Sequence, residues 1–300
     1  MAKKTALVLS GGGAKGAFQV GAEKYAREVK GYTWDIIAGV SVGALNGAML
    51  AMQKYDRLFE IWNTVSNDKI YTGGFNLWSA LKIWLTGAKS FYGNEPLHQL
   101  ILQEVEPDKF KVDLQVGAVS LQSGEYLLFK PGDPHIAEAI LASTVMPIIW
   151  TPVDVSPTCR SMVDGGVRNA SPLGDVLDAD PDEIVVMNCG SREPAPDPEP
   201  PDDIVKIGGR MLAILLNELF VEDLHEFLTI NALVQEAGAQ GITLHHPKSG
   251  RPLRYVDLKI IEPDRDSDLG DTLDFSQAAV QQSMQVGRAK AEQVLGTASG

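Results

Sequence analysis

Ser41 lies between two glycines, in Gly39-Val40-Ser41-Val42-Gly43, after a short apolar run and before a stretch of small helix formers. This is the pattern of a nucleophile elbow, a strand-to-helix turn whose serine takes a strained conformation at the tip. Side chains two residues to either side would collide with neighbouring backbone, so both positions need glycine. The flanks fit. Trp34-Asp35-Ile36-Ile37-Ala38 reads as a short buried strand and Ala44 to Met52 as a closely packed helix. A plain tight turn is the bland alternative in a chain with 29 glycines, but it would not need that strand and helix. The positive end of the helix favours an alkoxide or oxyanion beside the serine. Serine hydrolysis or acyl transfer is the chemistry expected.

A second glycine loop follows the first apolar run. Thr5 to Leu9 has strand length and leads into Gly11-Gly12-Gly13-Ala14-Lys15-Gly16, and Ala17 to Lys30 has helical composition. Three adjacent glycines leave backbone amides uncovered, so they can converge on the oxyanion of a tetrahedral intermediate. The same residues satisfy a dinucleotide fingerprint, Gly11-x-Gly13-x-x-Gly16, with Asp35 about 20 residues on. However, Asp35 precedes its apolar run, whereas a ribose-binding carboxylate sits at the carboxyl end of its strand. That end carries the Ser41 turn instead.

A serine hydroxyl needs a base. None of His98, His135, His225, His245 and His246 has a distinctive flanking pattern, although His225 or His246 could complete the order Ser, Asp, His. Asp164 is a different candidate. Ser161-Met162-Val163-Asp164-Gly165-Gly166-Val167 sets a carboxylate at the end of a short apolar run, against two glycines that permit close approach. Taken alone, it also reads as an ordinary Asp-Gly hairpin turn.

Together, the glycine triplet, the early serine turn and the later Asp-Gly-Gly resemble the patatin-like phospholipase family. Ala142-Ser143-Thr144-Val145-Met146-Pro147 is similar to the family's small-residue block before a proline, and Asn169 and Pro172 follow Asp164 at the family's spacing. The resemblance runs over residues 5–190 without a missing block. It implies a dyad of Ser41 and Asp164 with no histidine, acting on acyl esters of glycerolipids without calcium or any cofactor. It also implies an oxyanion hole at Gly11, Gly12, Gly13 and Ala14, supported by Gly16, Gly39, Gly43, Gly165, Gly166 and Asn169. Lys15 matches a position usually basic in the family, where pairing with a carboxylate would brace the loop. Acyl transfer to another alcohol, or nucleotide binding at Gly11 to Gly16, are the competing functions.

Strand-like runs at Thr5–Leu9, Asp35–Ala38, Val112–Val119, Tyr126–Phe129, Cys159–Val163, Ile184–Asn188 and Tyr255–Ile261 alternate with helical stretches. This predicts a three-layer α/β/α fold with a mostly parallel central sheet. The expected organisation is a catalytic core over 1–190, interrupted at 55–110 by a helical insertion with seven aromatics from Trp62 to Tyr92, offering either a mobile cap or an extra helical layer. A proline-rich acidic loop at 191–203 follows. Residues 204–300 complete the same domain or pack on it. They open with a long helix over Ile204–Ala237 and end with a polar surface helix over Gln277–Leu295.

A net charge of −13 excludes nucleic-acid tracking and gives no bulk attraction to anionic lipid. Contact with a membrane or micelle is therefore expected to be transient and apolar. The apolar stripe of the 204–237 helix, at Ile207, Met211, Leu212, Leu215, Leu219 and Phe220, reads first as core packing, with a homodimer face or a lipid-contact face as the alternatives. Two cysteines, Cys159 and Cys189, are too few for a disulfide scaffold. No signal-peptide core or membrane span is evident, so the cytoplasm is the expected location.

Overall fold

The run Thr5–Leu9 forms strand β1, and all five residues are buried. A strand covered on both faces cannot alternate apolar with polar residues, which explains the unbroken pattern. The computed structural model describes residues 3–70, 72–73, 92–93, 95–147, 149–193, 204–247, 249–265, 267 and 269–297. After β1 come α1 (Gly16–Glu28), β2 (Ile36–Gly39), α2 (Val42–Ala51), α3 (Tyr55–Thr64), α4 (Asn67–Ile70), β3 (Thr72–Gly73), β4 (Tyr92–Gly93) and α5 (Glu95–Glu104). The chain continues through β5 (Asp113–Ser120), β6 (Tyr126–Phe129), α6 (Ile136–Ser143), β7 (Met162–Asp164), β8 (Glu183–Met187), α7 (Ile204–Ala239), β9 (Asp257–Ile261) and α8 (Gln277–Leu295).

The central sheet has the order β6-β5-β2-β1-β8-β9, with β7 also on β5. The β5-β2, β2-β1, β1-β8 and β8-β9 pairings are parallel, and β6 and β7 run antiparallel to β5. Helices cover both faces. Leu7, Leu9 and Ile37 pack with buried residues of α1, α2, α6 and α8. Ala6, Val8, Ile36 and Ala38 face Phe220, Leu224 and Phe227 of α7. The layered, mostly parallel fold is the one expected.

The pairing of β5 sets up the site. β2 runs beside β5 only as far as Gly39 opposite Val116, while β7 occupies the same edge from Asp164 opposite Ala118. Two residues along a strand span roughly 7 Å. The end of β2 and the end of β7 therefore meet on one edge of one strand.

Two expectations differ from the structure, and a third is refined by it. The segment from Cys159 is a turn, closed by Cys159 N–H to Ser156 O at 3.2 Å, and β7 begins only at Met162. β9 likewise begins at Asp257, after a Tyr255 that is exposed. Helix α8 lies at the surface as expected, but it has a packed inner face. Val280, Ser283, Met284, Gly287 and Ala291 are buried. A Cβ on Gly287 would lie 2.0 Å from Phe18 O, and one on Gly21 2.0 Å from Met284 O. Glycine at these two points lets α1 and α8 approach closely. Within the insertion, α3 and α5 are ordered helices, whereas Tyr71, Phe75, Trp78, Trp84 and Phe91 lie outside the described residues, as do 194–203 of the proline-rich loop.

Candidate active site

Ser41 follows Val40 in the two-residue turn between β2 and α2, with φ 56° and ψ −132°. This is a costly conformation for a residue with a side chain, and it persists only where the surroundings enforce it. The surroundings here are backbone. A Cβ on Gly39 would sit 2.3 Å from Gly43 O, and one on Gly43 would sit 2.3 Å from Leu9 O. The Ser41 N–H donates to the hydroxyl of Ser143, at the end of α6, at 3.0 Å. That bond was not foreseen. Ser143 stood within a block notable only for small residues.

Asp164 ends β7. Its N–H donates to Val145 O at 2.9 Å, and its Oδ1 accepts the Gly166 N–H at 2.7 Å. Burial pushes its carboxyl up to about 6, while the nearby Ser41 side chain and the Gly166 amide act to lower it. The sequence alternative of a hairpin turn is not what forms. Gly165–Val167 is a single turn of 3-10 helix capped by Asp164. A Cβ on Gly165 would lie 2.3 Å from Gly117 O, so glycine lets this turn press onto β5.

Asn169 braces that turn. Its N–H donates to Gly165 O at 3.0 Å, and its Nδ2 donates to Asp175 Oδ1 at 3.3 Å. The Tyr126 hydroxyl donates to the other Asp175 oxygen at 2.6 Å. Burial raises the Asp175 carboxyl to about 6 and also raises the Tyr126 phenol. Neither Tyr126 nor Asp175 carried a sequence signal, because their meeting depends on how β6 and the segment after β7 pack.

The first glycine loop lies beside Ser41. A Cβ on Gly11 would be 3.1 Å from Ser41 Cβ. Its four expected amide donors are not equivalent. Gly11 N–H is engaged with Ala170 O at 3.3 Å and Ala14 N–H with Thr272 O at 2.8 Å. Among the described residues the Gly12 and Gly13 amides have no such partner, so the four-donor expectation narrows to two. Gly13, at φ 57°, also lies so close under Thr272 that a Cβ would be 2.3 Å from its carbonyl oxygen. Gly16 gives α1 and α2 their close approach, with a Cβ there 2.3 Å from Val42. Lys15 pairs with no carboxylate among the described residues, so the expected ion-pair brace is absent there. A buried chain of amides supports the loop instead. Gln19 Nε2 donates to Ser10 O and Met187 O, Asn46 Nδ2 to Gln19 Oε1, and Trp62 Nε1 to Asn46 Oδ1.

An apolar cavity of about 100 Å³ opens from Ser41 and Gly13 between α2, α3 and α5. Its walls include Leu45, Met49, Leu58, Trp62, Leu97 and Ile101. The described parts of the insertion thus form cavity wall. No histidine lines it among the described residues. His98 lies on α5 near Glu95, His135 begins α6, His225 is exposed on α7, and His246 accepts Ser249 N–H in a turn. The nucleotide alternative also loses its carboxylate. Asp35 accepts Thr5 N–H at 2.8 Å, at the opposite end of β1 from the glycine loop.

Residues 7–177 match the family model described as patatin-like phospholipase. Among solved structures the chain is similar to VipD from Legionella pneumophila, at 13% identity and a TM-score of 0.44, covering 98% of this chain and 67% of that one. It is also similar to the type III effector protein ExoU, at 15% identity and a TM-score of 0.38 over 97% of this chain, and it spans 53% of that protein.

Proposed function

This chain belongs to the patatin-like phospholipase family, and on that premise we propose that it hydrolyses acyl esters of glycerolipids with Ser41 as nucleophile and Asp164 as base. The observation that carries this reading is that Ser41, at the head of an apolar cavity, lies near enough to the buried Asp164 carboxyl to act on its ionisation.

In the first half of the cycle Asp164 takes the hydroxyl proton while Ser41 Oγ bonds to the ester carbonyl carbon. The oxyanion receives the Gly12 and Gly13 amides, each such donor contributing about 3 kcal/mol or more in comparable sites. Asp164 returns the proton to the departing alkoxide, leaving an acyl ester on Ser41. Water then adds with Asp164 again as base, and the carboxylic acid leaves. The raised pKa of Asp164 improves the match to a hydroxyl nucleophile over an ordinary carboxylate. The cavity takes the acyl chain, since its walls offer almost only carbon.

The test is lipid hydrolysis followed by mass spectrometry, with a fluorophosphonate probe on the same samples. Wild type releases fatty acid and is labelled at Ser41, Ser41→Ala does neither, and Asp164→Ala loses turnover. Retained hydrolysis in Asp164→Ala with loss in His225→Ala would move the base role to histidine. Product appearing only with an added alcohol would make the protein an acyltransferase.

A further inference from the structure

The cavity beside Ser41 runs along helix α2. Ser41, Val42, Leu45, Asn46 and Met49 all line it. Their spacing of i, i+1, i+4, i+5 and i+8 is one face of a helix. Eight residues put about 12 Å between the Ser41 end and the Met49 end. Hydrogen bonds fix what stands at each end. Trp62 Nε1 on α3 donates to Asn46 Oδ1 at 2.9 Å, while Lys54, just before α3, donates its N–H to Met49 O at 2.9 Å. Helix α3 therefore starts at the far end and returns toward Ser41. Lys54 Nζ also donates to Glu104 O at 2.6 Å, which places the last residue of α5 at the same far end.

That end is closed by charge. Arg57 Nε donates to Glu104 Oε1 at 2.9 Å, Lys54 pairs with Glu106 at 2.7 Å, and the Glu106 N–H reaches Met52 Sδ at 3.4 Å. Among the described residues that line the cavity, Glu104 alone is charged. A hydrocarbon chain that passed Met49 would part these ion pairs or bury them against carbon, and both are costly.

Two measures of the space agree. A zigzag carbon chain advances about 1.25 Å per bond, so about 12 Å of helix face takes about ten carbons. The volume of about 100 Å³ holds about seven to ten water-sized groups at about 10–15 Å³ of free volume each, and a methylene is of that size. A chain filling one leaflet of a bilayer reaches about 15 Å and overruns the Met49 end.

We propose that this cavity selects acyl chains of medium length, about eight to ten carbons, and that Met49, backed by the Arg57–Glu104 pair, sets the limit. This rests on the hydrolase reading of Ser41 and adds which esters are preferred.

The test is a series of p-nitrophenyl esters with even acyl chains from butyryl to myristoyl. Wild-type kcat/KM is expected to peak at the octanoyl or decanoyl ester and to fall about tenfold at the myristoyl ester. Met49→Ala removes the end wall, and the myristoyl-to-octanoyl ratio is expected to rise about tenfold. Leu45→Trp fills the channel about 6 Å from the Ser41 end, and the octanoyl-to-butyryl ratio is expected to fall about tenfold. Each ratio is taken on one preparation, so it does not depend on how much of a variant is folded. Two results would overturn the proposal: a wild type whose kcat/KM keeps rising to the myristoyl ester, or ratios that stay at wild-type values in both variants. Titration calorimetry of hexanoate, decanoate and myristate against Ser41→Ala reads the cavity without chemistry, and decanoate is expected to bind tightest. If no ester is cleaved at any length while decanoate still binds tightest, the hydrolase reading falls and the length selection stands. If Ser41-dependent cleavage is flat across the series, the length selection falls alone.

Discussion

The hydroxyl of Ser143 accepts the backbone N–H of Ser41 at 3.0 Å and so ties the turn after β2 to the end of α6. Both groups are buried. Ser143→Ala leaves an amide without a partner, at a cost of about 1–3 kcal/mol. Because that amide belongs to the residue holding the strained conformation, ester turnover is expected to fall about tenfold with KM little changed. Steady-state kinetics and urea unfolding of the same preparation read both effects. A stability loss with unaltered kcat would show that the turn keeps its shape unaided.

The buried Asp164 carboxyl makes activity and stability move in opposite directions with pH. As the proposed base it must be ionised, so kcat/KM is expected to fall below about pH 6. The folded protein holds this proton more tightly than the unfolded chain, whose value is near 3.8. Unfolding free energy therefore declines as pH rises from about 4 to 6, by about 3 kcal/mol from this group. Asp164→Asn removes that ionisation. It is expected to be inactive, yet to lose less stability than wild type between pH 4 and pH 8 in paired urea titrations.

Tyr126 provides a related test at the second raised carboxyl. Tyr126→Phe removes the donor held 2.6 Å from Asp175. At pH 8 the stranded carboxylate is expected to cost about 2 kcal/mol. At pH 5 Asp175 is mostly protonated in the folded state, so the difference from wild type should shrink. A deficit that is constant across this range would assign the effect to packing against Gly117.

The glycines differ sharply in what they tolerate. An alanine at Gly43 would press on Leu9 O at 2.3 Å and Ser10 O at 2.7 Å, both backbone atoms. Gly43→Ala is expected to destabilise by about 3 kcal/mol or to prevent soluble expression. Gly174 has open space around it, and Gly174→Ala is expected to stay within about 0.5 kcal/mol. Thermal melts of the two variants make the comparison.

Local patterns were readable wherever one segment contains its own reason. Continuous apolar runs announced β1, β2 and β8, and glycine after β1 and around Ser41 announced backbone in tight quarters. The meeting of Ser41 with Asp164 came from a resemblance, since its physical cause is the register of β2 and β7 along one edge of β5. No local pattern states a register between segments so far apart. The Gly11 and Ala14 amides were expected to serve the oxyanion, but their partners, Ala170 and Thr272, are distant in the chain. The buried face of α8 was missed for another reason. That face is narrow, with Ser283 and Gly287 standing among Val280, Met284 and Ala291, so the apolar period is weak.

Thr272 lies almost a hundred residues beyond the end of the family match, yet its carbonyl oxygen rests on the first glycine loop, and Leu273 and Phe275 beside it help close the cavity. Trimming the protein to its recognisable blocks would therefore take the roof off the cavity beside Ser41. A shortened enzyme that failed would say little about Ser41, because water would now reach groups that the tail keeps dry.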